Sequence, residues 1–315
     1  VSNALSGKGR MRPETRELII KEAGKSGYKV HHSIKSIVKR VIIITEEFSE
    51  NSASILNGIY TSALEADLFW PVYSLDVWGR DFSRNPGADS LRPLINTLID
   101  QLPFRPSGVI YVSQYPREVS GLFAGLNMQV VAIQMRGSEA DACVNFDSQQ
   151  GAYEAVLHLA QTGKCRIATL SGEVDSYTSS ERMIGYQRAL IDSALRYHPK
   201  LIWIGDWTLE SGYQITQNLL DMSDPPDAIF AQNDGMAEGA LKALHERGIR
   251  IPEDIAIIGF DNTQFAKHAS PALSSIQVPR FQMGASAYHK MCDLLRKKKA
   301  QDAALPCKLV LRESC

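Results

Sequence analysis

The stretch AIFAQNDGMAEGALKALHERGIRIPEDIAIIGFD, residues 228–261, decides the fold class. It opens with an apolar strand at Ala228–Phe230 and closes with another at Ile255–Gly259. Between them, apolar residues recur at helical spacing over a helix at about 235–247. That stripe is carried by Met236, Ala240 and Leu244. A strand, an amphipathic helix and a second strand in this order predict a βαβ unit with parallel strands.

The same alternation extends outward over the body of the chain. Further strands are predicted at Val41–Thr45, Val72–Leu75, Gly108–Val112, Val130–Ile133, Arg166–Leu170 and Leu201–Ile204. Further helices are predicted at about 90–102, 148–162, 180–195 and 210–220, and Ile55, Ile59 and Ala63 recur at helical spacing after the first strand. Since these strands are too many for one sheet, we predict an α/β protein with two Rossmann-like lobes. Loops at the carboxyl ends of the strands, and a pocket between the lobes, are the expected ligand site.

The charge is distributed unevenly along the 315 residues. The net charge is −1, but residues 1–40 hold ten basic and three acidic residues, and the remainder holds 24 basic and 32 acidic ones. A basic head on an acidic body is typical of a protein that binds nucleic acid or an anionic surface. A solvated basic helix would give the same charge pattern.

The sequence carries none of the common enzyme signatures. It has no G-x-G-x-x-G after a strand, no phosphate-binding G-x-x-x-x-G-K-[ST], no H-E-x-x-H and no G-x-S-x-G. Hydrophobic residues make up 44% of the chain, yet no run approaches a membrane span, and no signal peptide is recognisable. The five cysteines form no C-x-x-C pair, which favours reduced thiols in a cytoplasmic protein. We therefore expect no enzymatic activity, no metal and no cofactor.

The first sixteen residues, VSNALSGKGRMRPETR, resemble the start of the LacI/GalR family of bacterial transcription regulators. The family pattern there is V-S-x-A-L-N-G, a loop and P-E-T-R. The match continues in Gly24–Tyr28, Ser171-Gly172, Arg182 with Gly185-Tyr186, Gly205–Trp207, Ser211–Tyr213, Gln232–Ala237, Ile251–Asp254, Gly259–Asn262, Pro271–Ile276 and Leu311–Cys315. The order and spacing of these runs cover essentially the whole chain.

The resemblance implies a small all-α helix-turn-helix head and two lobes like those of type I periplasmic binding proteins. Its implied limits are residues 1–28 for the remainder of the head and 29–39 for a hinge. The first lobe would comprise 40–160 with 278–302, and the second 161–277 with 303–315. Because the sequence starts with Val1, the first part of the helix-turn-helix is expected to be missing from it.

The resemblance also assigns DNA contacts. Val1–Leu5 would be the second half of the recognition helix, which reads base edges in the major groove. Asn3 suits a base edge, and Ser2 suits a phosphate or a supporting role. Phosphate contacts are assigned to Lys8, Arg10 and Arg12. Each of these could instead be a solvated polar residue.

Residues 29–38 occupy the place of the family's hinge helix, which enters the minor groove. Ile37 matches the wedging leucine and Lys35 falls where Arg or Ala is common. Val30 replaces a usual proline, and the link from Ile37 to the strand at Val41 is shorter than usual. These departures leave open whether the hinge forms a minor-groove helix, and Ile37 could be a packing residue.

Matching positions in the second lobe imply an effector site. Trp207 would lie over the ligand, Arg182 would hold its hydroxyls or carboxylates, and Asp261 would accept two hydroxyls. Asn233 is assigned to the ligand and Asp234 to the cap of the following helix. The alternatives are a core tryptophan, a surface arginine, and the reverse assignment of cap and ligand.

The first lobe is predicted to contribute Asn51, Ser52, Ser113 and Asp147, with Glu46 in the same loop as Asn51 and Ser52. Thr178 lies near Arg182 in the second lobe and is also assigned to the ligand. Carboxylates, an arginine, amides and one indole favour a polyhydroxyl ligand.

Gly205-Asp206-Trp207 most resembles the sugar-responsive members of the family. Ser113–Pro116 resembles the purine repressor instead, although Ser176 stands where that protein has an arginine. A sugar or glycoside is preferred over a nucleobase. It would shift a homodimer between states of high and low affinity for a palindromic operator.

Two other classes of protein remain open from the sequence. A periplasmic sugar-binding protein would share the two lobes but needs a secretory signal. An α/β enzyme acting on sugars would need Asp261 and Arg182 to be catalytic. The effector's identity, its direction of control, the operator and a tetrameric state are also left open.

Overall fold

Two six-stranded sheets frame the computed structural model, which describes Thr15 and residues 40–64, 70–75 and 87–315. Residues 41–315 form one compact unit. The α/β class and the two lobes predicted from the sequence are confirmed.

The first sheet is wholly parallel in the described residues, with the strand order β11-β5-β4-β3-β1-β2. Its strands are β1 (Val41–Thr45), β2 (Val72–Ser74), β3 (Gly108–Glu118), β4 (Gln129–Arg136), β5 (Ala142–Phe146) and β11 (Ala303–Leu305). Its helices are α1 (Glu50–Leu64), α2 (Ala88–Asp100) and α8 (Arg280–Leu295).

The second sheet has the order β12-β10-β9-β8-β6-β7, and only β12 runs antiparallel to its neighbour. Its strands are β6 (Ile167–Ser171), β7 (Ile202–Ile204), β8 (Ala228–Ala231), β9 (Ala256–Asp261), β10 (Ser274–Gln277) and β12 (Lys308–Val310). Its helices are α3 (Ser148–Gln161), α4 (Tyr177–Asp192), α5 (Leu209–Leu220), α6 (Asp234–Glu246) and α7 (Gln264–His268), with a 3₁₀ turn at Pro199–Leu201.

The two-residue period of β1 distributes its side chains over both faces of the first sheet. Val41 and Ile43 pack into the core under α1 and α8, whereas Ile42 and Ile44 pack into the core under α2. All five residues of the strand are buried. This burial on both faces explains why the strand reads as a continuous apolar run and not as an alternating one.

The cores of the two lobes are continuous on one side. A single buried cluster contains residues of both sheets, and the Phe146 and Phe260 rings meet across the lobes with centroids 6.5 Å apart. One of the three buried clusters therefore spans both lobes, while each lobe also has a cluster of its own.

The chain passes between the sheets three times, near residues 147, 279 and 306. Gly151 places α3 against Ile276 and Phe260 of the second sheet, and β11 pairs with β5 of the first. The predicted domain limits stay a prediction. The structure groups α3 with the second sheet, although the limit at 160/161 assigned it to the first lobe. It groups β11 with the first sheet, although the limit at 302/303 assigned it to the second lobe. The limits at 1–28 and 29–39 lie outside the described residues apart from Thr15.

Most predicted helices and strands of the body are confirmed to within about three residues at their ends. Residues 228–261 form β8, α6 and β9, the βαβ unit predicted from the sequence. Elements not predicted are β5, α7, β10, α8, β11 and β12. β3 and β4 are longer than expected, because Ser113–Glu118 continues past a register shift and pairs again with β4.

Candidate functional site

The carboxyl ends of the strands of the second sheet bring together four of the predicted effector residues. Trp207 follows β7, Asn233 follows β8, Asp261 ends β9, and Arg182 reaches them from α4. Trp207 and Asp261 have left-handed backbone, with φ of 71° and 108°. Non-glycine residues in this conformation are strained and concentrate at ligand sites.

The indole of Trp207 lies over the end of β6. A Cβ on Gly172 would come within 2.0 Å of two of its ring carbons, so Gly172 leaves the space that the ring fills. The Trp207 carbonyl accepts a hydrogen bond of 2.8 Å from Asn233 Nδ2. The loop after β7 is thereby tied to the loop after β8.

Arg182 is buried at the centre of this group, with only 3% of its surface exposed. Its Nε donates to Ser148 Oγ at 3.1 Å and its Nη1 donates to the Gln232 carbonyl. Its guanidinium carbon lies 3.6 Å from the Phe260 ring centroid and 5.8 Å from that of Trp207. Burial lowers the pKa of Arg182 to about 10. The reading of Arg182 as a surface charge is therefore wrong.

Asp261 faces two arginines. Arg280 Nη2 donates to Asp261 Oδ1 at 2.8 Å and Arg280 Nη1 donates to the Asp261 carbonyl at 3.2 Å. Arg182 Nη2 lies 3.9 Å from the same Oδ1. Sequence reasoning missed Arg280, although it stands only four residues beyond the family-like run that ends at Ile276.

The N-cap of α6 is Asn233 and not Asp234, the residue assigned to it from the sequence. Asn233 Oδ1 accepts from Met236 N at 2.8 Å, so Asn233 caps α6 and the assignment of the cap to Asp234 is wrong. Asp234 is buried one residue further on, where its carboxylate accepts from Thr263 N, Thr263 Oγ1 and Ser275 Oγ. Burial, reinforced by the charge of Asp261, raises the pKa of Asp234 to about 6. The role of Asn233 toward a ligand stays a prediction.

Asp147 and Thr178 lie where the two lobes meet. Asp147 Oδ1 accepts from Gln150 N at 2.9 Å and caps α3, while its neighbour Ser148 holds Arg182. Thr178 Oγ1 donates to the carbonyl of Pro116 in β3, a long hydrogen bond of 3.5 Å between the lobes. Ser176 caps α4, its Oγ accepting from Ser179 N at 3.4 Å.

The predicted residues of the first lobe form a separate network after β1 and β3. Ser113 Oγ lies 3.4 Å from Glu46 Oε2 and donates to the Tyr115 carbonyl at 2.8 Å. Glu46 is buried, accepts from Tyr111 Oη at 2.6 Å and pairs with Arg117. Burial lowers the pKa of Arg117 to about 10. Glu46 is thus engaged inside the lobe.

Ser52 bonds locally, where its Oγ accepts from Ser49 N at 2.8 Å at the start of α1. Asn51 occupies the same first turn. The hydrogen bonds of Ser52 reach only Ser49 and not Arg182 or Arg280. The predicted residues therefore fall into two groups, and Thr178 makes a hydrogen bond from one lobe to the other. In the described residues no cluster of metal-binding side chains and no helix able to cross a membrane occurs. The predicted DNA contacts Ser2, Asn3, Lys8, Arg10, Arg12, Lys35 and Ile37 lie outside the described residues.

Comparisons with known proteins fit this architecture. The family description "periplasmic binding protein-like domain" matches residues 156–315. The HTH-type transcriptional regulator AscG of Escherichia coli strain K12 is 32% identical over 297 residues, which cover 90% of this chain and 84% of that protein.

Two solved structures are similar over most of their length. A regulatory protein of the LacI family from Chloroflexus aggregans superposes with a TM-score of 0.73 at 26% identity, covering 87% of this chain and 98% of the other. The transcriptional regulator CelR in complex with cellobiose has a TM-score of 0.71 at 24% identity, covering 100% and 94%. At that identity the second likeness concerns the fold alone.

Proposed function

Because the chain belongs to the LacI family of DNA-binding transcriptional regulators with a periplasmic-binding-protein-like effector domain, we propose that a small carbohydrate or glycoside controls its affinity for an operator. The carbohydrate binds between the two lobes, at the carboxyl ends of the strands. The protein acts as a repressor and as a homodimer on a two-fold operator.

The arrangement of Arg182 between two aromatic rings and beside Asp261 carries this proposal. An indole face suits the C–H face of a sugar ring, and a carboxylate accepts hydrogen bonds from its hydroxyls. The strained backbone at Trp207 and Asp261 supports the same place, because strain persists where a surrounding site requires it. First-lobe residues Ser113, Asn51 and Ser52, together with Asp147 and Thr178, would close over the ligand.

DNA recognition is proposed for the residues at the start of the chain. Asn3 would read a base edge, and Ser2, Lys8, Arg10 and Arg12 would contact the backbone. Lys35 and Ile37 would act in the hinge at the minor groove. The ligand would bias the lobes toward one arrangement, and only a difference in its affinity for the two arrangements could change DNA binding.

Cellobiose is the first probe, because it is bound by CelR, a regulator with the same fold. We would measure the thermal unfolding of this chain with cellobiose, with monosaccharides, with aryl glycosides and with purines. A ligand at a hundred times its dissociation constant adds about 2.7 kcal/mol to the free energy of unfolding. Isothermal titration calorimetry would then give the Kd of any compound that shifts the midpoint.

Three variants test whether the site is the one described. Trp207→Ala and Asp261→Ala should abolish the shift with the sugar. Gly172→Ala should also weaken binding, because its Cβ would displace the indole without removing any side chain of the site. The matched control is Asn57→Ala on an exposed position of α1, which should keep the full shift.

The outcomes separate the alternatives. A shift with purines but not with any sugar would replace the proposal with a nucleobase sensor. A sugar shift that survives Trp207→Ala and Asp261→Ala would place the effector elsewhere and overturn the site.

A further inference from the structure

Helix α8 is fixed rigidly to the first lobe. A Cβ on Gly58 of α1 would lie 2.0 Å from the Phe281 carbonyl oxygen, and one on Gly284 would lie 2.0 Å from the Ile55 carbonyl oxygen. The backbones of α1 and α8 are therefore in direct contact at two glycines. Since backbone contacts cannot yield as long side chains do, α8 moves with the first lobe.

Arg280 is the first residue of α8, but its side chain reaches into the second lobe. Its guanidinium holds both the carboxylate and the carbonyl of Asp261 at the end of β9. The side chain of Arg280 is only 11% exposed and that of Asp261 20% exposed. A partly buried ion pair of this kind is screened by salt less than an exposed one.

The other end of this ion pair is fixed to the second lobe. Asp261 and Asn262 both have positive φ, and Asn262 N donates to Ser275 Oγ of β10 at 3.0 Å. Asn262 Oδ1 in turn accepts from Arg312 Nη2 at 2.6 Å. The carboxylate of Asp261 is consequently presented by a rigid corner of the second sheet.

We propose that Arg280 is a positioning residue that links the ligand-facing carboxylate of Asp261 to the relative arrangement of the two lobes. In the free protein the Arg280–Asp261 pair holds the lobes in the observed arrangement. The consequence for the effector rests on the proposed function: ligand hydroxyls that bind Asp261 compete with Arg280 and so release α8 with the first lobe. Arg280 thus couples the binding of a ligand to Asp261 to a change in the relative arrangement of the two lobes.

A second point of contact between the lobes provides a remote readout. Thr178 reaches the Pro116 carbonyl, and the guanidinium of Arg136 lies 5.3 Å from the centroid of the Tyr177 ring. These contacts belong to α4, β3 and β4, not to β9 or α8. Loss of a merely local ion pair would leave them unchanged.

The test is hydrogen–deuterium exchange of the free chain and of Arg280→Gln, Asp261→Asn and the double variant. We expect each single variant to raise exchange about threefold or more in peptides covering 113–118 and 177–182, with no further increase in the double variant. Arg280→Lys, which keeps the charge, should restore part of the protection. The matched control Arg250→Gln removes an exposed ion pair with Asp254 and should leave both peptides unchanged.

Exchange that rises only around residues 259–262 and 280–284 would overturn the proposal, as would additive effects of the two substitutions. If Arg280→Gln fails to fold by circular dichroism, Asp261→Asn tests the same pair from the other side. A titration of cellobiose against the wild type and Arg280→Lys forms a separate arm. Absence of cellobiose binding counts against that sugar as effector and not against the ion pair, which the free chain tests alone.

Discussion

Asp234 is the residue whose ionisation the fold changes most plainly among the described carboxylates. It is 1% exposed and receives three hydrogen bonds, yet its pKa is raised to about 6 from an ordinary value of 3.8. Burial is the first cause, and the charge of Asp261 is the second. The folded state thus binds a proton more tightly than the unfolded state does.

This shift predicts a pH dependence of stability. Because the folded pKa is raised, the contribution of Asp234 is full below about pH 4 and is lost as pH rises through about 6. We expect the wild type to lose about 2 to 3 kcal/mol relative to Asp234→Asn between these two pH values. Urea unfolding of both proteins at pH 4 to 7 measures this difference.

Asp234→Asn should also be less stable by a constant amount, since an amide NH₂ cannot accept from Thr263. Only the change of the difference with pH reports the ionisation. A difference that is flat across this range would contradict the raised pKa.

At the scale of single residues, the grouping of Trp207, Arg182 and Asp261 could be predicted because each belongs to a recognisable local run. Arg280 could not, because its importance comes from a carboxylate nineteen residues away. The cap of α6 was misassigned because Asn and Asp are equally good caps and differ only in which one the backbone turns toward the helix.

The packing of α1 against α8 depends on glycines, which have no Cβ and so allow the two backbones to come into contact. Glycine weakens a helix, so intrinsic helix propensity alone predicts that Gly58→Ala raises the free energy of unfolding by up to about 1 kcal/mol. The structure predicts the opposite sign, a loss of about 1 to 3 kcal/mol, because the new Cβ meets backbone. Urea denaturation decides between the two signs.

Asn57→Ala serves as the control on the same helix, since Asn57 is exposed one position earlier. It should change stability by less than about 0.5 kcal/mol. Equal gains from both substitutions would mean that α1 and α8 are not in backbone contact.

Two physical causes explain why three of the strands, β10, β11 and β12, could not be predicted from the sequence. In β10 the buried residues Ser274 and Ser275 are polar, and their hydroxyls bond to Arg312 N and Asp234. Such a strand carries no apolar pattern to recognise. β11 and β12 have three residues each, so their position is set by pairing with distant strands rather than by local sequence.

At the scale of the molecule, the buried cluster shared by the two lobes bears on whether they unfold cooperatively. One buried cluster includes residues of both sheets, and three chain crossings connect them. We therefore expect the two lobes to unfold together in one transition. Trp70→Phe and Trp203→Phe variants, which remove a reporter from the first and the second lobe respectively, should give coincident fluorescence and circular dichroism midpoints.

Two resolved midpoints would show that one lobe stays folded after the other has unfolded. The class of the fold and its family were predictable from alternation and from ordered runs, because those signals are local and repeated. The assignment of α3 and β11 to their sheets was not predictable, because the local sequence of a helix or strand does not specify which sheet it packs against or joins.

The interleaving of the two lobes also governs how the protein can be made. β5 lacks its edge partner, and α1 lacks α8, until residues 280–305 have been synthesised. The first lobe, although begun first, is completed almost last on the ribosome. Until then its apolar face under α8 and the open edge of β5 are exposed to other nascent chains, which makes this a stage at which chaperones would protect the protein.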